Sequence, residues 1–168
     1  MQEGNKMVTT NDKERLAKIF PDYFEKFELP EGAKEEEIQV YRACRSGKCD
    51  KESFLPTYEQ NGYKLLFAAD ETDPGQYSLS TYEKPNHIKR FASMCSDMQV
   101  PYKIAIGVTN PKYGLVQRTR ERKKGSGSHV DWWLYKDATP HEEFEVIPNF
   151  EEHLLSYKKG SEENERVY

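Results

Sequence analysis

Tyr102-Lys103-Ile104-Ala105-Ile106-Gly107-Val108 is the stretch whose reading decides the fold. Tyr102, Ile104, Ile106 and Val108 alternate with Lys103, Ala105 and Gly107, and a period of two is that of a pleated strand. Just upstream the period is different. Ile88, Phe91, Ala92 and Cys95 fall at i, i+3, i+4 and i+7, which predicts an amphipathic helix over 87–98 with Asn86 as its cap. A helix running into a strand of separate period sets the expectation of a mixed chain.

Outward from that pair, the same signals recur. Ile38-Gln39-Val40-Tyr41 predicts a first strand, 63–69 an apolar strand after the Asn61-Gly62 turn, and 77–82 a short one. Downstream, 115–122 and 129–135 read as a long hairpin around the tip Lys123-Lys124-Gly125-Ser126-Gly127-Ser128, and 144–147 as a last strand. Toward the N-terminus, Asn11 with Glu14 has the form of a capping box, and Leu16, Ile19 and Phe20 make a helical stripe interrupted by Pro21. Asn149 with Glu152 caps a short helix through Leu155. The expectation is an α+β single domain with a mainly antiparallel sheet, an N-terminal helical segment and one central amphipathic helix. Its bounds are 10–157, with a flexible arm at 1–9 and a charged disordered tail at 158–168.

Composition agrees with one core. A chain of 168 residues with 12% aromatics can bury enough surface to fold without disulfides or metal. Cys44, Cys49 and Cys95 are odd in number and lack Cys-x-x-Cys spacing, which suits free thiols in a reducing cytoplasm. The longest apolar run, Leu65 to Ala69, is far shorter than the ~20 residues of a spanning helix, so no membrane role is expected. A net charge of −4 argues against general nucleic-acid affinity but leaves room for local patches.

Three constellations carry possible chemistry. In the first, Val40-Tyr41-Arg42 ends an early strand with arginine, and Tyr77-Ser78-Leu79-Ser80-Thr81-Tyr82 places a Ser-Thr pair on a later one. Glu143-Phe144-Glu145-Val146-Ile147-Pro148 then sets two glutamates at i and i+2 on a late strand. This order resembles the arginine, Ser-Thr-Ser, Glu-x-Glu signature of arginine-type ADP-ribosyltransferases, with Tyr82 standing where that family has its second serine. The resemblance implies NAD as substrate. Arg42 would contact the NAD phosphates, while Ser80, Thr81 and Tyr82 would line the NAD site. Glu145 would hold the ribose and stabilise the cationic sugar, and Glu143 would orient or deprotonate the acceptor.

The second constellation is the basic hairpin. Arg118, Arg120 and Arg122 recur at period two, Lys123 and Lys124 follow, and Trp132 lies on the returning strand. Cations interleaved with aromatics suit an anionic partner, either an acidic protein surface or a nucleic acid. A solvated strand edge explains the same charges. The third is a possible metal site at His129, Asp131 and His141, the first two sharing a strand face. No phosphate-binding glycine loop, Gly-x-Ser-x-Gly elbow or His-Glu-x-x-His helix occurs.

Overall fold

A computed structural model describes residues 18–95 and 102–166. The expected arm at 1–9, the Asn11–Glu14 capping box and the side chain of Cys95 lie outside those residues.

Among those residues six strands form one antiparallel sheet: β1 (Gln39–Cys44), β2 (Leu79–Tyr82), β3 (Lys103–Val108), β4 (Gly114–Arg118), β5 (His129–Leu134) and β6 (Glu145–Val146). Their spatial order is β4-β5-β2-β1-β3-β6. Among the described residues three α-helices accompany the sheet: α1 (Thr57–Gln60), α2 (Pro85–Cys95) and α3 (Phe150–Arg166). The expected α+β single domain with a mainly antiparallel sheet is what the chain forms. The Tyr102–Val108 alternation becomes β3, which pairs along its whole length with β1, Ile106 opposite Tyr41 and Ile104 opposite Ala43.

Cross-strand partners share a face, so the register divides the sheet into two surfaces. On one, Val40, Cys44, Leu79, Ala105, Val116, Val130, Trp132 and Leu134 build the main core, closed by Phe54, Tyr113 and Phe144. The described residues cover the other face at its two ends. Helix α2 lays Ile88 and Ala92 over Tyr41, Ala43 and Ile104 at one end. Phe27, Tyr58 and Tyr77 cover Trp133 at the other, with the Phe27 and Tyr77 rings stacked 4.4 Å apart. Among the described residues none packs over the middle of that face. There the residues alternate polar rather than apolar, and that is where the cleft described below lies.

Two close approaches hold the sheet tight. A Cβ at Gly114 would land on the Trp133 carbonyl, and one at Gly107 would meet the Phe144 ring at 2.6 Å. Only glycine lets these strands and the ring come so near.

Several local expectations are corrected. The segment 63–69 is not a strand: Tyr63 and Ala68 take left-handed φ values of 62° and 59°, and Phe67 stands fully exposed. Left-handed backbone at two positions breaks the extended run that a strand needs. The hairpin is shorter than expected, because β4 stops at Arg118 and the chain winds into a 3-10 turn over Thr119–Glu121. Asn149 caps α3 as expected, its Oδ1 accepting the Glu152 amide at 3.1 Å. That helix does not stop near Leu155 but runs through Arg166, taking in most of the segment read as a disordered tail.

Candidate functional site

Beta-1 and β2 pair only at Tyr41 and Tyr82 and then part. Arg42 occupies the gap. Its Nε donates to the Ser53 carbonyl in a 3-10 turn and its Nη1 to the Ser80 carbonyl on β2, both at 2.9 Å, which satisfies two backbone oxygens beside the gap. The side chain is buried, yet it lines a cleft of about 730 Å³ over the middle of the sheet.

The floor of the cleft follows from register. Ser80 sits opposite Asp131, and Tyr82 opposite His129. Phe91 of α2 and Tyr102 form one wall; Thr57, Gln60, Asn61 and Gln76 line the other. Arg45 and the turn bearing Arg122, Lys123 and Lys124 complete the lining. Five cationic side chains thus meet two carboxylates, Asp73 and Asp131, and the surplus makes the cavity attractive to an anion.

Asp131 is wholly buried and accepts from three donors: Ser78 Oγ on Oδ1, and Thr119 Oγ1 and Arg122 Nη1 on Oδ2, each at 2.6 Å. Burial alone would push its carboxyl up, but His129, Arg122 and Ser78 outweigh it and hold it below the ordinary carboxylate range. Arg122 is itself steadied by Gln117 Oε1 at 2.9 Å and lies over the Trp133 ring.

His129 Nδ1 lies 2.6 Å from Thr119 Oγ1, the same hydroxyl that donates to Asp131. Burial lowers the affinity of the imidazole for a proton. Asp131 opposes that shift, while Arg122, Lys123 and Arg42 add to it, so the ring is neutral at physiological pH.

The structure brings some of the residues singled out from sequence together and separates others. Arg42, Ser80 and Tyr82 share the cleft. Thr81 points to the opposite face, buried, its hydroxyl donating to the Val130 carbonyl at 3.0 Å. Glu143 and Glu145 do not line the cleft. Glu143 ends a 3-10 turn, so the two are not i and i+2 on one strand, and it pairs with Lys112. Glu145 lies on β6 at the sheet edge, with β3 between that strand and β1. The carboxylate that faces Ser80 is Asp131 instead.

The hairpin arginines part company for a similar reason. Because β4 ends at Arg118, the period of two does not continue to Arg122. Arg118 binds Glu36 and Glu83, and Arg120 reaches Glu83, whereas Arg122, Lys123 and Lys124 turn to the cleft. Trp132 is fully buried in the main core, so it offers no surface to a partner. His129 and Asp131 are neighbours, but His141 packs near Phe54 in a different cavity. Among the described residues no group of three metal-ligating side chains comes together. The same residues include no helix long and apolar enough to cross a membrane. Cys44 and Cys49 are free thiols, and burial pushes Cys44 up to about 12.

Thr119, which links the acid to the imidazole, was missed in the sequence. His129-Val130-Asp131-Trp132-Trp133 shows the signal for its partners, polar residues alternating with apolar ones on a strand. Comparison with known proteins adds no relative: no family model, curated protein or solved structure matches the chain.

Proposed function

We propose that this cleft binds a dinucleotide of the NAD type and that the protein cleaves its nicotinamide–ribose bond, in the manner of the ADP-ribosyltransferases its motifs resemble. The observation carrying this reading is the convergence of Arg42, Ser80 and Asp131 on one cavity. They are an arginine, a serine and a carboxylate on three adjacent strands.

The surroundings support it. A volume of about 730 Å³ lies within the usual range for small-molecule sites, about 300–1,000 Å³. Arg122, held by Asp131 and Gln117, offers a fixed charge to a pyrophosphate, and exposed Arg45, Lys123 and Lys124 supply mobile ones. Tyr82, Phe91 and Tyr102 give flat apolar surface for a heterocycle, and Ser80, Gln60, Asn61 and Gln76 give hydroxyl partners for ribose. Asp131 places negative charge under the site where positive charge develops on the sugar as nicotinamide departs.

The test is release of nicotinamide from NAD by the purified protein. Turnover is expected, and Ser80→Ala together with Asp131→Asn should each reduce it by at least about tenfold, roughly 1.4 kcal/mol of barrier. No nicotinamide above the rate of NAD in buffer, with water or with protein and nucleic-acid acceptors present, would contradict the reading.

A second reading has its own support in the exposed cations at the cleft mouth. Arg45, Lys123 and Lys124 project where an anionic macromolecule could dock without being changed. Salt-sensitive capture of such a partner by a protein that neither binds nor consumes NAD would favour it.

A further inference from the structure

The geometry points to His129 as the general base of this cleft, its Nε2 taking the proton of the acceptor, whether a hydroxyl group or water, that attacks the sugar. The inference rests on the NAD-cleaving reading and adds to it the group that handles the proton.

A chain of hydrogen bonds fixes the tautomer. Asp131 is an ionised carboxylate, so it can only accept, and the one proton of the Thr119 hydroxyl must go to its Oδ2 at 2.6 Å. The same hydroxyl lies 2.6 Å from His129 Nδ1 and has no second proton to offer. Nδ1 must therefore carry the hydrogen and donate it to Thr119, which leaves Nε2 as the nitrogen with a free lone pair. Among the described residues Nε2 has no hydrogen-bond partner, and the ring lines the cleft beside Ser80 and Tyr82. A base needs this combination of fixed orientation, an open lone pair and access to substrate.

The charges facing the imidazole come from every side: Asp131 on its own strand, Arg122 and Lys123 from the turn, and Arg42 from β1, with the Tyr82 ring edge-on at 5.0 Å. Burial and the three cations outweigh the carboxylate, so His129 stays unprotonated at neutral pH. In the reaction the acceptor oxygen forms a bond to the anomeric carbon as the bond from that carbon to the nicotinamide nitrogen breaks. The bonding pair leaves with nicotinamide, which becomes neutral, and the acceptor proton passes to Nε2 and then to solvent.

The experiment has two arms. Long-range ¹H–¹⁵N spectra of the intact protein should show His129 neutral, with its hydrogen on Nδ1. Nicotinamide release is then measured from pH 5 to 9 for the wild type, His129→Asn and Thr119→Val, with NAD affinity measured separately. His129→Asn should lose about 10²–10⁴-fold in turnover while binding NAD within about threefold of the wild type, and its profile should lose the acidic limb. Thr119→Val should fall less and shift that limb. Should His129→Asn not fold, the tautomer and the Thr119→Val profile decide. A hydrogen on Nε2, or wild-type turnover with an unchanged acidic limb in His129→Asn, would overturn the assignment while leaving NAD cleavage standing. A wild type that neither binds nor consumes NAD would overturn both.

Discussion

Asp131→Ala should lower the unfolding free energy by about 3 kcal/mol, the lower end of what removing one partner of a buried ion pair costs, because Arg122 keeps some contact with water. For a domain of this size the melting temperature should drop by about 6–12 °C. The size of the effect follows from what the carboxylate holds. Without it, the Thr119 hydroxyl loses its acceptor, Ser78 and Arg122 keep only the Gly75 carbonyl and Gln117, and His129 loses the link that orients it. Asp131→Asn keeps the shape and one acceptor oxygen, so its loss should be smaller. The effect also depends on pH. A carboxyl depressed in the folded state stabilises the protein above the ordinary carboxylate range, and that contribution disappears as pH falls through the lower folded value. Thermal melts between pH 2 and 7 check this: wild type and Asp131→Ala should differ most near neutrality and converge in acid. A constant difference across that range would mean that the charge is not what stabilises.

Arg42→Met should produce a comparable loss, about 2–5 kcal/mol, and should remove ligand binding as well. The methionine fills the same space but leaves the Ser53 and Ser80 carbonyls without donors, where β1 and β2 have already separated. Ser80 stands on the cleft floor, so a shift of its backbone moves the site itself. Arg42→Lys should not rescue, because a single ammonium group lacks the planar fork that spans two carbonyls. Urea melts give the stability change. A calorimetric titration with NAD gives the second effect, a weakening of at least about tenfold or about 1.4 kcal/mol. Normal stability in Arg42→Met would show that the gap between the strands closes without the guanidinium.

Much of the architecture was legible because it is written in local periodicity. The alternation of Ile104 and Ile106 and the helical spacing of Ile88, Phe91 and Ala92 each report a face that had to be buried, and both elements form there, although the helix starts at Pro85 and takes in Asn86, the residue expected to cap it. The run 63–69 has the same apolar character but turns left-handed at Tyr63 and Ala68, two residues that seldom do so and give no sign of it in the sequence. The Arg118, Arg120, Arg122 pattern failed because one 3-10 turn resets the period.

The site was half legible for a reason of the same kind. Arg42 and Ser80 were found from their motifs, and Tyr82 with them. Glu145 was paired with them because its local sequence fits, but strand order is not chain order. The sixth strand joins the far edge beside β3, whereas β5 is the strand that enters beside β2. His129 and Asp131 share a strand face, which the residues alone offer as a candidate metal site beside the plainer reading of surface and turn positions. Their meaning changes once Thr119 is placed between them, and a hydrogen bond from a neighbouring turn leaves no trace in sequence.

One titration tests the cleft directly: NAD into the wild-type protein, and into a triple variant with Arg45, Lys123 and Lys124 each changed to glutamate. All three side chains are exposed, so the variant should fold normally. Saturable one-to-one binding by the wild type, with a dissociation constant at or below about 1 mM and weakened by raised salt, is expected, and the triple variant should lose it. Absence of saturable binding, or binding that the charge reversal leaves untouched, would show that the cleft is not where a dinucleotide goes.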